Sequence, residues 1–303
     1  MGKMSTFKIV EGLSAADYHA VKAVSASLLK AYAVTAEKGK AYEDGVVTIS
    51  QETALFGSRF HCATLEPIVF ASQYVERPAT YPAPATHAKV KAGEIAAGHP
   101  LPWHTSAKVC EDWERQQTRE AISASDYAAF QGMRQALLDD RRMRPYMLAE
   151  GKYELSLFAE LDGIPVKARL DKLITDGAIV DLKSTQCAEP YAFTREIIKF
   201  HYDLQIYWYS MVAQLCGLPY NGMVLGACEK KPPYSVLCCE LDTPAFNRGK
   251  DEALRCFELY KKCHKDKRWP GYIDQAAPYQ VAFPSWYLTK QQPAEQVLYY
   301  LES

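Results

Sequence analysis

The apolar positions of this chain change their period partway along it. In the first half they recur every three or four residues, as on one face of a helix. Ser25 and Ser27 precede Leu28-Leu29-Lys30, which reads as a capped helix start, and Glu52 to Glu66 is a second helical stretch stopped by Pro67. Five prolines between Pro78 and His104 predict a long irregular segment around a short helical piece near Lys89–Ala97. Ser125 is read as the cap of a helix running to about Leu148, with Phe130, Met133 and Leu137 on one stripe. From Tyr153 the pattern becomes strand-like. Tyr153–Phe158, Ile164–Leu173 and Ala178–Lys183 read as strands joined by Asp162-Gly163 and Asp176-Gly177, an antiparallel meander. After Pro190 the helical period returns through about Cys216-Gly217. Met223–Glu229 and Tyr234–Leu241 then read as two strands split by Pro232-Pro233, and a long helix follows from about Thr243 to His264.

No internal repeat and no linker-like break in composition interrupts this order. The prediction is one mixed α/β domain over residues 1–303, a central, mostly antiparallel or mixed sheet of about five strands flanked by helices. A helical and irregular part occupies about 1–150, the core 151–266, and a Pro- and aromatic-rich C-terminal wrap 267–303.

Charge narrows the partners. With 35 Lys+Arg against 36 Asp+Glu the net charge is -1, so any surface for a polyanion is local rather than global. Nine scattered cysteines with no CxxC read as reduced thiols of a cytoplasmic protein, with neither a zinc site nor an iron–sulfur cluster. No apolar run reaches membrane-spanning length and the start lacks a signal-like stretch, so no membrane partner and no secretion are expected. His87, His99 and His104 lack ligand spacing and read as loop residues.

Chemistry concentrates in Lys167-Ala168-Arg169-Leu170-Asp171-Lys172 and Val180-Asp181-Leu182-Lys183. On a strand, Asp181 and Lys183 share a face while Leu182 points into the core behind them. The turn at Asp176-Gly177 brings Asp171 alongside. Two carboxylates about 4 Å apart repel by on the order of 4 kcal/mol at an effective dielectric near 20. Either a divalent cation compensates them, Mg²⁺ or Mn²⁺ for an oxygen-rich site, or Lys183 pairs with one of them. Gly57-Ser58-Arg59-Phe60-His61 sets a glycine and a histidine one turn apart. Gly57 is read as a point of close backbone approach, and His61 as either a core histidine or a nitrogen ligand. Gln205 and Tyr209 lie four apart on a later helix, beside an apolar stripe of Leu204, Tyr207, Met211 and Leu215. They read as an interior hydrogen-bonded pair or as groups that position a phosphate or base.

G-x-x-x-H at 57–61, the Asp171 strand, D-x-K at 181–183 and Q-x-x-x-Y at 205–209 stand in the order seen in PD-(D/E)xK nucleases of the RecB-like branch. The chain resembles most the exonuclease VIII, or RecE-like, group. The Ser25–Lys30 helix start, Ser125-Asp126-Tyr127 with Gly132-Met133-Arg134, the Gly151–Phe158 strand and Pro284 with Trp286 extend the likeness over about residues 10–290. Leu170 replaces the proline that gives the superfamily its name.

The resemblance implies a catalytic core at 151–266, with Asp171 and Asp181 binding Mg²⁺ (Mn²⁺ substituting) and His61 adding a ligand. It further implies the Leu182 carbonyl as another ligand and Glu154 as a residue that binds a second metal or orders water. Lys183 would orient the attacking water, and Gln205 and Tyr209 would hold DNA or brace the site. It implies an exodeoxyribonuclease, bacterial or phage-encoded, that degrades one strand of linear duplex DNA 5′ to 3′ and leaves 3′ tails for recombination. A ring-shaped homo-oligomer and a RecT-like single-strand annealing partner are also implied. The alternatives are another nuclease of the superfamily acting on single strands, or a non-catalytic DNA-binding accessory protein. Arg59, Lys89, Lys91 and the Lys261, Lys262, Lys265 run are candidate DNA contacts, or else solvated helix surface.

Overall fold

Two Asp-Gly turns organise the sheet of the computed structural model, which describes residues 7–46, 51–274 and 277–288. Six strands, β1 (Lys8–Val10), β2 (Gly151–Leu161), β3 (Ile164–Ile174), β4 (Ile179–Thr185), β5 (Met223–Glu229) and β6 (Val236–Cys239), lie side by side in sequence order. Asp162 and Gly163 both take positive φ, 52° and 78°, the left-handed pair a two-residue hairpin between β2 and β3 needs. All neighbours are antiparallel except β4 and β5, whose parallel pairing requires a crossover. The sixth strand, β1, went unread because three residues are too few to show an alternation.

The helices that matter for the site are α1 (Ala26–Val34), α2 (Gln51–Leu65), α3 (Ala124–Asp139), α4 (Pro190–Lys199), α5 (Tyr202–Leu215) and α6 (Thr243–Asp266). One sheet face carries Leu155, Leu157, Val166, Ala168 and Leu170, and packs with Leu29 of α1, Trp208 of α5 and Phe257 of α6. The opposite face carries Val180, Leu182 and Val224, and packs with Phe60 of α2 and Phe130, Met133 and Leu137 of α3. Each such side chain contributes roughly 1.5–3 kcal/mol when fully buried. The predicted stripe on α5 is wider than drawn: Leu204, Ile206, Trp208 and Val212 are fully buried, and Tyr207, Met211 and Leu215 only partly.

Several predicted boundaries move. The helix expected from Ser125 to Leu148 starts two residues earlier, capped by Ser123, whose Oγ accepts from Asp126 N at 3.1 Å. It stops at Asp139 because the Asp140 carboxylate accepts from Arg142 N and Met143 N at 2.9 and 3.0 Å; a separate helix, Arg144–Leu148, follows. The stretch after Pro190 is two helices, broken where His201 takes φ 50°. Neither Gly nor Pro marks that break. The helical piece in the Pro-rich segment is only Ala88–Lys91, flanked by a two-strand pair, Thr80–Pro82 with Pro100–Pro102. Gly57 has nothing within 4 Å of where a Cβ would stand, so it is not a close-approach point. Gly249 on α6 is one: a Cβ there would lie 2.3 Å from the Asp203 carbonyl oxygen of α5.

Two buried lysines of β3 each close a helix end. Lys167 Nζ donates to the carbonyls of Tyr18 and Val21, both at 2.8 Å, at the C-terminus of the Ala15–Ala20 helix. Lys172 Nζ donates to Tyr146 O and Met147 O at 2.8 and 2.9 Å, in the last turn of Arg144–Leu148. Carbonyls left over at a helix end favour a cation there. The tail begins by docking: Trp269 Nε1 donates to Tyr32 Oη at 3.0 Å. The wrap expected beyond residue 288 lies outside the described residues. Among those residues, no helix is long and apolar enough to cross a membrane.

Candidate active site

The site begins at a slip in strand phase. Leu155 faces one core and Tyr153 packs with the other, although residues two apart on a regular strand share a face. The slip falls on Glu154, whose φ of 47° is left-handed and costs a non-glycine residue about 1–2 kcal/mol. On β3 the break falls at the same level: Leu170 faces the first core, while Lys172 turns to the helix end beside Met147 on the other. The register, Tyr153 with Lys172 and Leu155 with Leu170, sets Glu154 opposite Asp171 at the break.

The sheet also forks here. β3 and β4 pair at Lys172–Val180 and Leu173–Ile179, the only two paired positions of that ladder. Beyond them the two backbone groups of Leu182 that would face β3 are met by side chains. Asp171 Oδ2 accepts from Leu182 N at 2.8 Å, and His61 Nε2 lies 3.0 Å from Leu182 O. Further along, the free edge of β3 is taken by Val24, whose N donates to Pro165 O at 2.9 Å and whose O accepts from Lys167 N at 2.8 Å.

Two clusters flank Leu182. In the first, His61 Nδ1 lies 3.4 Å from Asp171 Oδ1 and 4.0 Å from Glu154 Oε1, and one donor atom from each residue falls within 4.8 Å of the others. Arg169 Nε donates to Glu154 Oε2 at 2.7 Å. In the second, Asp181 forms an ion pair with Lys183 and accepts from Gln205 Nε2 at 2.9 Å. Gln205 Oε1 accepts from Lys30 Nζ at 2.5 Å. Lys30 and Lys183 each stand 4.8 Å from the centroid of the Tyr202 ring. The carboxylates expected together are therefore partitioned: Asp171 stands with His61 and Glu154, and Asp181 with Lys183 and Gln205.

Burial and neighbours set the charges. Burial opposes the His61 imidazolium, but the Asp171 carboxylate, by charge and hydrogen bond, and Glu154 outweigh it and raise its pKa to about 9. Both ring nitrogens then carry protons, which suits acceptors on both sides. Burial would raise Asp171, yet His61, Lys183 and the Leu182 N–H hold it below the ordinary value. Asp181 is raised, with burial and Asp171 prevailing over Lys183. Glu154 is raised by burial and by Asp171. Lys183 is raised, because Asp181 and Asp171 overcome its burial. Burial, with Tyr18 and the carboxylates nearby, pushes the Tyr209 phenol well above 10. The first cluster fits a divalent cation: two like-charged, part-buried carboxylates converge with an imidazole, whose Nδ1 faces them while its Nε2 meets the Leu182 carbonyl.

A cleft of about 600 Å³ opens over this cluster, lined by His61, Glu154, Asp171, Arg169, Tyr18 and Tyr209. Gln205, by contrast, is buried behind Asp181. The proposed DNA contacts are dispersed. Arg59 is paired with Glu120, and Lys89 and Lys91 sit on the short Ala88–Lys91 helix. Lys261 pairs with Asp162 at 2.9 Å and with Glu258 at 2.5 Å, and Lys262 with Asp266 at 3.6 Å. Lys265 lies in the same last turns of α6. That helix end is by the β2–β3 turn, seven residues along β3 from Asp171, or roughly 23 Å at 3.3 Å per residue.

Lys30, Arg169 and Tyr202 were not singled out in the sequence. Arg169 had a signal, since it is two residues from Asp171 on one strand; Lys30 reaches Gln205 across 175 positions and had none.

The profile of a family described as a PDDEXK-like domain of unknown function (DUF3799) matches residues 25–280. A solved structure from Eubacterium rectale, provisionally named an exonuclease, superposes with a TM-score of 0.55 at 13% identity, covering 93% of this chain and 99% of that one. At that identity the likeness is one of fold. No curated protein matches the chain.

Proposed function

The chain belongs to the PDDEXK-like family DUF3799, and we propose that it is a divalent-metal-dependent exodeoxyribonuclease acting at the ends of linear duplex DNA. The observation that carries this reading is the convergence of His61, Glu154 and Asp171 on the cleft, across Leu182 from the Asp181–Lys183 pair. Phosphodiester hydrolysis needs a nucleophilic water near neutral pH and positive charge against the phosphoryl oxygens. A bound Mg²⁺ or Mn²⁺ supplies both.

His61, Glu154 and Asp171 are the residues assigned to hold the cation, with Asp181 and the Leu182 carbonyl beside them. Lys183 stays protonated between Asp181 and Asp171; its ammonium orients the attacking water and offsets charge on the phosphate. Gln205 fixes the Asp181 carboxylate, and Tyr209 forms part of the cleft wall where a nucleotide would lie.

Polarity 5′ to 3′, 3′ single-stranded products for recombination, a ring-shaped oligomer and a single-strand annealing partner complete the proposal. They rest on the likeness to the RecE-like group. The name of the Eubacterium rectale protein agrees with exonuclease activity. Incubation of the purified protein with duplexes labelled at either 5′ or 3′ ends, with Mg²⁺ or Mn²⁺, tests both activity and polarity. Early release of 5′ label is expected; resistance of both substrates would sink the proposal.

A further inference from the structure

The cleft does not end at the metal-ligating cluster. A second cavity of about 540 Å³ shares His19 and Ser25 with it and continues past them to Lys22, Tyr42 and Tyr260. Each volume is in the ~300–1,000 Å³ range of pockets that hold small ligands. The floor of both is one face of β3. Asp171 and Arg169 line the first, Lys167 and Pro165 the second, and residues at spacing two share a strand face. The floor thus runs from the Asp171 carboxylate through the Arg169 guanidinium to the Lys167 ammonium over four residues, roughly 13 Å at 3.3 Å per residue.

The far cavity is built for an anion beside a ring. Lys22 is exposed there, and Lys167 beneath it is buried with its ammonium on backbone carbonyls rather than on a carboxylate. Burial and the neighbouring Lys22 charge lower the Lys167 pKa to about 8, so two like charges stand close together. The acid of this cavity, Glu43, is engaged by His264 Nε2 at 3.0 Å. Nearer the metal-ligating cluster, Arg169 Nη1 is a buried donor with no hydrogen-bond partner among the described residues. Half-buried Tyr42 and Tyr260 supply aromatic wall. A cation next to aromatic surface, repeated along a groove, is what a single nucleic-acid strand requires.

We propose that this second cavity is a strand subsite, in which Lys22 takes a phosphate of the same single strand whose scissile phosphate lies over Asp171, with a base against Tyr42. The proposal rests on the nuclease reading above for its direction, but strand binding can be measured without cleavage.

The test compares wild type with Lys22→Glu and Tyr42→Ala. One assay follows fluorescence anisotropy of a labelled single-stranded oligonucleotide across a salt series, without metal. The other takes the ratio of kcat/KM for that oligonucleotide to kcat/KM for thymidine 5′-(p-nitrophenyl phosphate), a single nucleotide too short to reach Lys22. Lys22→Glu should weaken strand binding about tenfold and reduce the slope of log affinity against log salt by about 0.7, the loss of one phosphate contact. The activity ratio should fall about tenfold with it, and Tyr42→Ala should lower affinity with the salt slope unchanged. Unaltered affinity and slope in Lys22→Glu would overturn the subsite. Wild-type protein that binds the strand through Lys22 but cleaves neither substrate would overturn the nuclease reading alone.

Discussion

Gln205 donates from Nε2 to Asp181 Oδ1 at 2.9 Å, in an orientation fixed from behind by Lys30 Nζ, which donates to its Oε1. A flipped amide would point Oε1 at the Asp181 carboxylate and take the acceptor away from Lys30 Nζ, whose pKa burial and the nearby Lys183 lower to about 7. Asp181 in turn pairs with Lys183, and both lysines contact the Tyr202 ring. Replacing Lys30 by Met should therefore act at a distance, lowering kcat about ten- to a hundredfold while KM changes little. Steady-state kinetics on a short duplex measures that split; a rise in KM at constant kcat would assign Lys30 to substrate binding.

Metal binding should release a proton. In the metal-free protein His61 is held as an imidazolium, its pKa raised from 6.5 to about 9. A raised folded-state pKa means that its contact with Asp171 stabilises the metal-free fold fully below pH 6.5 and that this contribution is lost as pH rises through 9. A cation using an imidazole nitrogen must displace a proton, so affinity for Mn²⁺ should climb between pH 6.5 and 9. Calorimetric titration at pH 7.5 in two buffers of different ionisation enthalpy should report close to one proton released per cation. No release would place His61 outside the ligand set.

Glu154 stands in a left-handed backbone position opposite Asp171, and that strain makes sense if its carboxylate is needed in the cluster. Glu154→Gln should weaken Mn²⁺ binding by tenfold or more, because a charged oxygen donor is lost while shape is kept. Glu154→Gly should relieve the strain and raise the melting temperature of the metal-free protein while also weakening the metal. If Mn²⁺ affinity were unchanged in both, Glu154 would be only the partner of Arg169.

Lys172 is buried with its ammonium on two helix-end carbonyls. Lys172→Met should lower stability by about 1–3 kcal/mol, the cost of leaving buried acceptors unpaired. Urea denaturation measures it directly, and an unchanged midpoint would contradict the capping role.

Much of this fold was legible because it is local. The two Asp-Gly turns, the alternation of Leu155-Ser156-Leu157 and Val166-Lys167-Ala168, and the Thr243 helix start are contained in short windows, and the strands and long helix follow from them. The breaks at Asp140 and His201 were missed because a side-chain turn and a left-handed histidine leave no apolar gap. The site was legible as a set of residues and not as an arrangement. Strict alternation predicts Asp171 beside Asp181, but the phase slip at Glu154 and the fork after Lys172 turn Asp171 toward His61 instead. Those distortions are tertiary, set by α2 packing its His61 against the open edge of β4.

Cleavage depends most on Lys183, the ammonium held by the charges of Asp181 and Asp171. Lys183→Ala removes it without enlarging the apolar core, since its side chain faces the site and not the sheet-packing clusters. The deciding measurement is release of acid-soluble nucleotides from linear duplex DNA in Mg²⁺ or Mn²⁺, with wild type and Lys183→Ala compared at matched circular dichroism spectra. The wild type should release nucleotides only when metal is present, and the folded variant should lose at least a hundredfold in rate. A wild type inert under both metals, or a Lys183→Ala protein that cleaves at the wild-type rate, would contradict this role of Lys183.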